Sequence, residues 1–239
     1  MPVLLLLAQC GCMAIGNGQH PLSSWWYRAE AERHETLWVL LPGRYDKASA
    51  FDDHGWISEA RKAGVRADIM AVDAYLDYYV QRTVVTRLHQ DVILPARQAG
   101  YRHIVLIGVS MGAAGALRYW QRYPSGVDGV VMVAPYLGEP ELLDEIRRAG
   151  GVRRWNASGC PADDICQLWK ELKVRDRDGA VPKHFVLLYG QRDRLVEGHE
   201  LLAPLLDQRQ VVAIRGGHDW FTWNRLWSLA LQRDLLKPR

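Results

Sequence analysis

The sequence predicts an α/β protein with a mostly parallel central sheet and helices on both faces. Short runs rich in Val, Ile and Leu alternate along the chain with longer segments of helical periodicity. Several of these runs are apolar at every position, which is typical of parallel strands that are buried on both sides. The 239 residues suffice for one domain with an insertion, which can fold without a metal ion or a disulfide.

Six strands and six helices follow from these patterns. The predicted strands cover residues 36–41, 67–72, 103–109, 129–134, 185–189 and 211–214. The predicted helices cover residues 48–63, 77–99, 112–122, 139–148, 196–207 and 219–233. Because a helical segment separates each strand from the next, the crossovers are expected to be right-handed. Pro95 lies within the second helical pattern and is expected to kink or end that helix.

One connection is longer than an ordinary crossover. Residues 137–183, between the strands at 129–134 and 185–189, contain no strand pattern and only a short second helix near 164–173. We expect a cap-like insertion here. Such an insertion either covers a site from above or decorates the surface, and both interpretations stay open.

Composition and charge exclude several functions. The 30 Lys and Arg residues barely exceed the 27 Asp and Glu residues, and the two signs are interspersed, so no nucleic-acid partner is expected. The chain has 10 Trp and 10 Tyr but only 3 Phe. Most of its rings therefore carry a polar atom, which suits the wet rim of a pocket.

The first 24 residues are predicted to be a leader or a flexible segment before a single domain over residues 25–239. The apolar run at 3–8 is too short to span a bilayer but is similar to part of a bacterial export signal. Export would allow a lipid on Cys10 or Cys12 to anchor the protein to a membrane. Because no Lys or Arg precedes Arg28, a cytoplasmic protein with a disordered or wrongly assigned start is the alternative.

Two later cysteines, Cys160 and Cys166, have a spacing that does not fit a zinc site. In an oxidising compartment the pair would close a small disulfide loop, which agrees with export. Reduced thiols in a cytosolic enzyme are the alternative. No metal site is predicted.

The pattern Gly-Val-Ser-Met-Gly, residues 108–112, stands between a predicted strand and a predicted helix. Such a turn projects the side chain of Ser110 from the edge of the sheet, and the flanking glycines relieve crowding where the backbone reverses. The N-terminus of the helix behind it offers free N–H groups to a developing negative charge. Ser110 is therefore the candidate nucleophile.

A serine nucleophile needs a base and an acid that orients the base. His218, in Gly-Gly-His-Asp-Trp after the last predicted strand, is the candidate base. Asp193, in Gly-Gln-Arg-Asp after the strand at 185–189, is the candidate acid, with Glu139 in reserve. Asp193 could instead cap the helix that begins near residue 196.

Two N–H donors should face the oxyanion of the reaction. The first belongs to Met111, directly after the nucleophile. The second comes from the loop Pro-Gly-Arg-Tyr-Asp after the first strand, through the backbone of Arg44 or, as a second choice, Tyr45. Aromatic side chains expected near this edge are candidates for substrate binding: Tyr45, Tyr75, Trp155 and Trp220.

The ordered set GVSMG, GQRD and GGHDW resembles the serine hydrolases of the α/β-hydrolase superfamily. The segment GGHDWFTWNRLW is most similar to the esterase D and enterochelin-esterase group. The resemblance implies a catalytic triad of Ser110, Asp193 and His218, oxyanion donors at Met111 and Arg44, and no metal or organic cofactor. It implies hydrolysis of a small-molecule carboxylic ester. The alternatives are a thioesterase or peptidase that uses the same triad, or a non-catalytic binding protein. The sequence indicates no oligomeric state.

Overall fold

The computed structural model describes residues 18–29, 34–161, 165–182 and 184–236. Its strands are β1 (Ser24–Tyr27), β2 (Thr36–Leu41), β3 (Asp68–Val72), β4 (His103–Val109), β5 (Gly129–Val133), β6 (Phe185–Gly190) and β7 (Val211–Ile214). They form one sheet in the order β1-β3-β2-β4-β5-β6-β7. The strands from β2 to β7 pair in parallel, and β1 pairs antiparallel with β3 at the edge. All six predicted strands are present.

Ten α-helices occur in the described residues. They are α1 (Ala50–Asp53), α2 (Trp56–Lys62), α3 (Leu76–Val80), α4 (Val84–Arg87), α5 (Leu94–Gln98), α6 (Met111–Arg122), α7 (Pro140–Arg148), α8 (Ile165–Arg177), α9 (Val196–Leu202) and α10 (Trp220–Gln232). Side chains of α1, α2 and α10 pack on one face of the sheet, and those of α3 to α9 pack on the other. The predicted architecture, a mostly parallel sheet with helices on both faces, is confirmed.

Alternation along the strands explains why both faces of the sheet are apolar. In β2, Leu37 and Val39 join the core cluster beneath α6, whereas Trp38 and Leu40 join the cluster beneath α10. All four side chains are buried. Successive strand residues point to opposite faces, so a continuous apolar run fills two cores at once.

The edge strand β1 was not predicted. Its sequence Ser-Trp-Trp-Tyr is largely exposed, with Trp25 at 55%, and shows no apolar alternation. The segment before it is also part of the domain, because Leu22 is buried and its N–H donates to Asp91 at 2.9 Å. The boundary at residue 24 is therefore too late. Residues 1–17, with Cys10 and Cys12, lie outside the described residues.

Two predicted helices are interrupted in the structure. The pattern at 48–63 divides at Gly55, which adopts a left-handed φ of 79° between α1 and α2. The pattern at 77–99 divides at Arg82, with φ of 58°, and then contains a π-helical stretch, Leu88–Ile93. Pro95 lies in the first turn of α5, where a helix tolerates a residue without an N–H.

The predicted insertion between β5 and β6 is confirmed. It contains α7 and α8, with no strand in its described residues. Trp169 and Leu172 of α8 are fully buried in the same core cluster as α6, and the indole of Trp169 donates to the Leu137 carbonyl at 2.8 Å. Cys160 and Cys166 form a disulfide with a Cα–Cα distance of 5.4 Å. The insertion is thus anchored to one face of the sheet.

Candidate active site

Ser110 stands at the sharp turn between β4 and α6. Its φ of 52° and ψ of −111° lie in a region that residues with a Cβ rarely adopt, and such strain is typical of a nucleophile turn. The glycine two positions later permits this turn. A Cβ on Gly112 would lie only 2.2 Å from the Leu41 carbonyl oxygen, so the end of β2 could not approach α6.

The imidazole of His218 lies directly beside the serine. Its Nε2 atom is 2.9 Å from Ser110 Oγ, although 108 residues separate the two. The loop after β7 carries His218, and α10 begins two residues later at Trp220. Asp219 does not compete for the imidazole, because its carboxylate caps α10 by accepting the N–H of Thr222 at 2.8 Å.

The carboxylate of Asp193 holds the other side of the imidazole. His218 Nδ1 lies 2.9 Å from Oδ1 and 2.8 Å from Oδ2 of Asp193. A carboxylate can only accept, so Nδ1 carries the proton and Nε2 is left as an acceptor for the Ser110 hydroxyl. Asp193 is fully buried and its Oδ1 also accepts the N–H of Leu195 at 2.8 Å. The reserve acid Glu139 instead accepts the hydroxyl of Tyr136.

The two proposed oxyanion donors belong to segments that lie next to Ser110. Met111 is the first residue of α6, and neither its N–H nor that of Arg44 donates to any other described residue. The loop of Arg44 is close to the serine, since a Cβ on Gly43 would lie 3.7 Å from Ser110 Cβ. Both N–H groups are thus available to an external acceptor.

Tyr45 and Tyr75 lie in connections that follow β2 and β3 at this edge of the sheet, and Trp220 is the first residue of α10. Tyr45 is 80% exposed, Tyr75 is 37% exposed, and Trp220 is half-buried. Trp155, however, is wrong as a substrate-binding candidate, because it is buried in the core and its indole donates to Glu145 at 2.7 Å. Its ring has no exposed face to offer a ligand.

His199 was not among the predicted site residues. The structure buries it completely on α9, with Nε2 3.0 Å from the Pro135 carbonyl oxygen. Because Nε2 donates there, Nδ1 is the acceptor nitrogen. Burial lowers the pKa of His199 to about 4, with the nearby Asp193 carboxylate opposing that shift. The only indication of this burial in the sequence is that His199 is a polar residue at a position of α9 that faces the core.

No group of His, Cys, Asp and Glu side chains in the described residues could hold a metal ion. The same part of the chain contains no helix with the length and hydropathy of a membrane span.

A family model described as serine aminopeptidase, S33, matches residues 50–160, somewhat less than half of the chain. The matched stretch contains Ser110 and ends before Asp193 and His218. No curated protein sequence matches this one.

Several solved structures share the fold at low sequence identity. Est1E from Butyrivibrio proteoclasticus is 14% identical, with a TM-score of 0.63 over 90% of this chain and 93% of its own. S-formylglutathione hydrolase from Staphylococcus aureus is 14% identical, with a TM-score of 0.57 over 85% and 82%. Enterochelin esterase from Shigella flexneri is 15% identical, with a TM-score of 0.56 over 91% and 55%. At such identities the likeness establishes the fold alone.

Proposed function

We propose that this chain, which shares its fold with solved esterases at low sequence identity, is a serine-dependent hydrolase of carboxylic esters in the α/β-hydrolase superfamily. One observation carries the proposal: Ser110, His218 and Asp193 form a continuous hydrogen-bonded chain at the carboxyl edge of the sheet. A hydroxyl is a poor nucleophile at neutral pH, and this chain supplies the base that activates it.

In the proposed reaction, Ser110 Oγ attacks the ester carbonyl while His218 Nε2 takes its proton. The backbone N–H groups of Met111 and Arg44 donate to the oxyanion of the tetrahedral intermediate. His218 then protonates the leaving alcohol, which departs and leaves an acyl group on Ser110. A water molecule, activated by His218 in the same way, releases the carboxylic acid. The Asp193 carboxylate stabilises the imidazolium in both halves of the reaction.

The rim of the site suggests how the substrate is held. Tyr45, Tyr75 and Trp220 offer rings that suit an apolar or flat group of the ester. Arg44 is exposed and its guanidinium lies 5.0 Å from the centre of the Tyr45 ring, so a ligand that stacks on this ring would also meet a positive charge. An ester with an aromatic or apolar group therefore fits the site best.

A peptidase is the second candidate, because the matching family model is described as a serine aminopeptidase. Peptidase and esterase would use the same triad and differ in the leaving group that His218 protonates. A panel of p-nitrophenyl esters, thioesters and amino-acid anilides separates ester, thioester and amide hydrolysis. Turnover of anilides well above that of esters would favour the peptidase.

A fluorophosphonate probe tests the proposed nucleophile directly. We expect a covalent adduct that peptide mapping assigns to Ser110, together with its loss in Ser110→Ala. That variant should lose at least about 10³-fold in ester turnover and stay folded. An unlabelled Ser110 would favour a non-catalytic binding protein, and full turnover by Ser110→Ala would exclude the mechanism.

Export to an oxidising compartment is a further part of the proposal. The Cys160–Cys166 disulfide supports it, because such bonds persist outside the reducing cytosol. Anchoring through lipid on Cys10 or Cys12 is proposed with it. The intact mass of the protein from its native host would reveal a removed leader or an attached lipid. A full-length chain with both of these cysteines unmodified would contradict export.

A further inference from the structure

The end of β5 and the segment after it hold the backbone of Ser110 from both sides. The Ser110 N–H donates to the Val133 carbonyl at 2.8 Å, and the Tyr136 N–H donates to the Ser110 carbonyl at 3.1 Å. Residues 134–139, between β5 and α7, are called the β5–α7 connector. Because both bonds use backbone atoms, they do not depend on the side chains of the connector. The position of Ser110 therefore depends on the path of the backbone just after β5.

This path is unfavourable at Ala134. Its φ of 48° lies in the left-handed region, which a residue with a Cβ seldom adopts. Such a conformation persists only where the surroundings hold it in place. The Ala134 N–H donates to the Leu188 carbonyl of β6 at 2.8 Å. At the next residue, the Pro135 carbonyl accepts the proton on His199 Nε2 at 3.0 Å. The side chain of His199 thus fixes the connector directly after its strained residue.

Helix α9, which carries His199, packs closely against the β5–α7 connector. A Cβ on Gly198 would lie 3.1 Å from Leu137 Cβ. The ring of His199 is fully buried, and its centroid lies 5.1 Å from that of Tyr189. Among the residues that the structure describes, Nδ1 of His199 has no hydrogen-bond partner, so the bond to Pro135 is the only one of this imidazole. That bond is what distinguishes histidine from an apolar residue of similar size at this position.

Helix α9 also begins beside the acid of the proposed triad. Asp193 Oδ1 accepts the N–H of Leu195, the residue before α9, at 2.8 Å. Burial lowers the pKa of His199 to about 4, and the Asp193 carboxylate acts in the opposite direction. At neutral pH the imidazole is therefore uncharged, with its one proton on the nitrogen that faces the carbonyl. Helix α9 is thus joined to Asp193 at its start and, through His199, to the connector that holds Ser110.

We propose that His199, through the Pro135 carbonyl, is a positioning residue that keeps Ser110 within reach of His218. The inference rests on the proposed function, because it assigns a role within that reaction. His199 does not touch the reacting atoms, and it acts through the β5–α7 connector. Without its hydrogen bond, the connector relaxes from its strained path and holds the Ser110 carbonyl less firmly. A small displacement of the nucleophile is enough to slow its attack on the substrate.

Three variants of His199 separate its hydrogen bond from its packing. His199→Leu removes the donor at a similar volume, and His199→Phe removes the donor but keeps a ring against Tyr189. His199→Gln keeps an N–H donor on a side chain of similar reach. His184→Leu is the matched control, because it removes another buried imidazole, directly before β6 and thus at the amino edge of the sheet.

We expect His199→Leu and His199→Phe each to lower kcat by about 10- to 100-fold at a temperature where the variants are folded. The rate at which a fluorophosphonate labels Ser110 should fall by a similar factor, whereas KM should stay within about twofold of wild type. His199→Gln should retain most of the activity, because its amide can replace the imidazole as donor. The control His184→Leu should lower the melting temperature and leave kcat unchanged.

Hydrogen exchange at the Tyr136 amide provides a readout that does not depend on turnover. This amide donates to the Ser110 carbonyl, so its exchange reports whether the connector still holds the nucleophile turn. In His199→Leu and His199→Phe it should exchange faster than in wild type, whereas His199→Gln and His184→Leu should leave its exchange unchanged. Unchanged exchange in the two variants without the donor would overturn the positioning role.

The kinetic measurements can contradict the role of His199 independently. A kcat within about twofold of wild type in both His199→Leu and His199→Phe would overturn it. Equal losses of kcat in His199→Gln and His199→Leu would also overturn it, because the donor would then not matter. A wild-type protein that neither hydrolyses esters nor labels at Ser110 would contradict the proposed function, while exchange at Tyr136 would still decide whether His199 holds the connector.

Discussion

Trp56 and Trp227 stack face to face, with 4.4 Å between their ring centroids and 5° between their planes. The indole of Trp227 also donates to the Trp56 carbonyl at 3.2 Å, which ties α10 to α2. Because Trp227 is almost fully buried, we expect Trp227→Ala to lower the free energy of unfolding by about 3–5 kcal/mol. Trp227→Phe should cost clearly less. Chemical denaturation measures both, and Trp25→Ala at the exposed edge serves as the control. A loss for Trp227→Ala no larger than that of the control would contradict this packing.

The proposed role of Asp193 predicts a large effect on turnover with little effect on stability. Asp193→Asn allows the imidazole to take the tautomer with its proton on Nε2, which cannot accept the Ser110 proton. We therefore expect kcat to fall by about 10⁴-fold. Asp219→Asn is the matched control, since it removes a charge beside His218 but keeps the cap of α10. Equal losses of kcat in the two variants would show that the loss of negative charge, rather than the orientation of the His218 imidazole, lowers turnover.

Burial of His199 predicts a loss of stability in acid. The unfolded chain binds a proton at this histidine near its ordinary pKa of 6.5, whereas the folded protein binds it only near a pKa of about 4. The free energy of unfolding should therefore decrease as pH falls from 6.5 toward 4, by up to about 3 kcal/mol from this group. Urea denaturation across that range should show a shallower decrease in His199→Gln than in wild type. His20→Gln, at an exposed position, is the control. Parallel slopes in wild type and His199→Gln would contradict the prediction.

Reduction of the Cys160–Cys166 disulfide should destabilise the protein modestly. The bond closes a loop with a sequence separation of 6, for which chain entropy predicts about 2 kcal/mol. We expect a reductant to shift the denaturation midpoint of the wild type and not that of a Cys160→Ala/Cys166→Ala variant. Because the bond lies in the insertion and not among the triad residues, ester turnover should be little changed. A reductant effect that persists in the double variant would assign it to Cys10 or Cys12 instead.

Much of the sheet was predictable because its strands are buried on both sides. In β4, six of the seven residues are buried, so the sequence is apolar at almost every position and predicts a strand. The edge strand β1 has no such signal, since its residues are exposed and its position is set by pairing with β3. The long helical pattern at 77–99 is broken at Arg82, whose left-handed φ of 58° is not encoded in the periodicity.

The site was predictable to the extent that parallel strands end at one edge of the sheet. That rule led to Ser110, Asp193 and His218, which the structure joins by hydrogen bonds. The rule does not show which aromatic rings face solvent. Trp155 was therefore predicted at the site, although it packs in the core. The burial of His199 was not predictable either, because it depends on contacts such as that with the Pro135 carbonyl, 64 residues away in the chain.

The side-by-side order of the strands has a consequence for redesign. Residues 73–75 and 134–139 each connect a different strand to the helix that follows it. Libraries that randomise only these connectors would change which substrates bind. The positions of Ser110, His218 and Asp193 would stay unchanged. Specificity could thus be evolved one loop at a time, by grafting or lengthening single connectors, without rebuilding the scaffold that supports them.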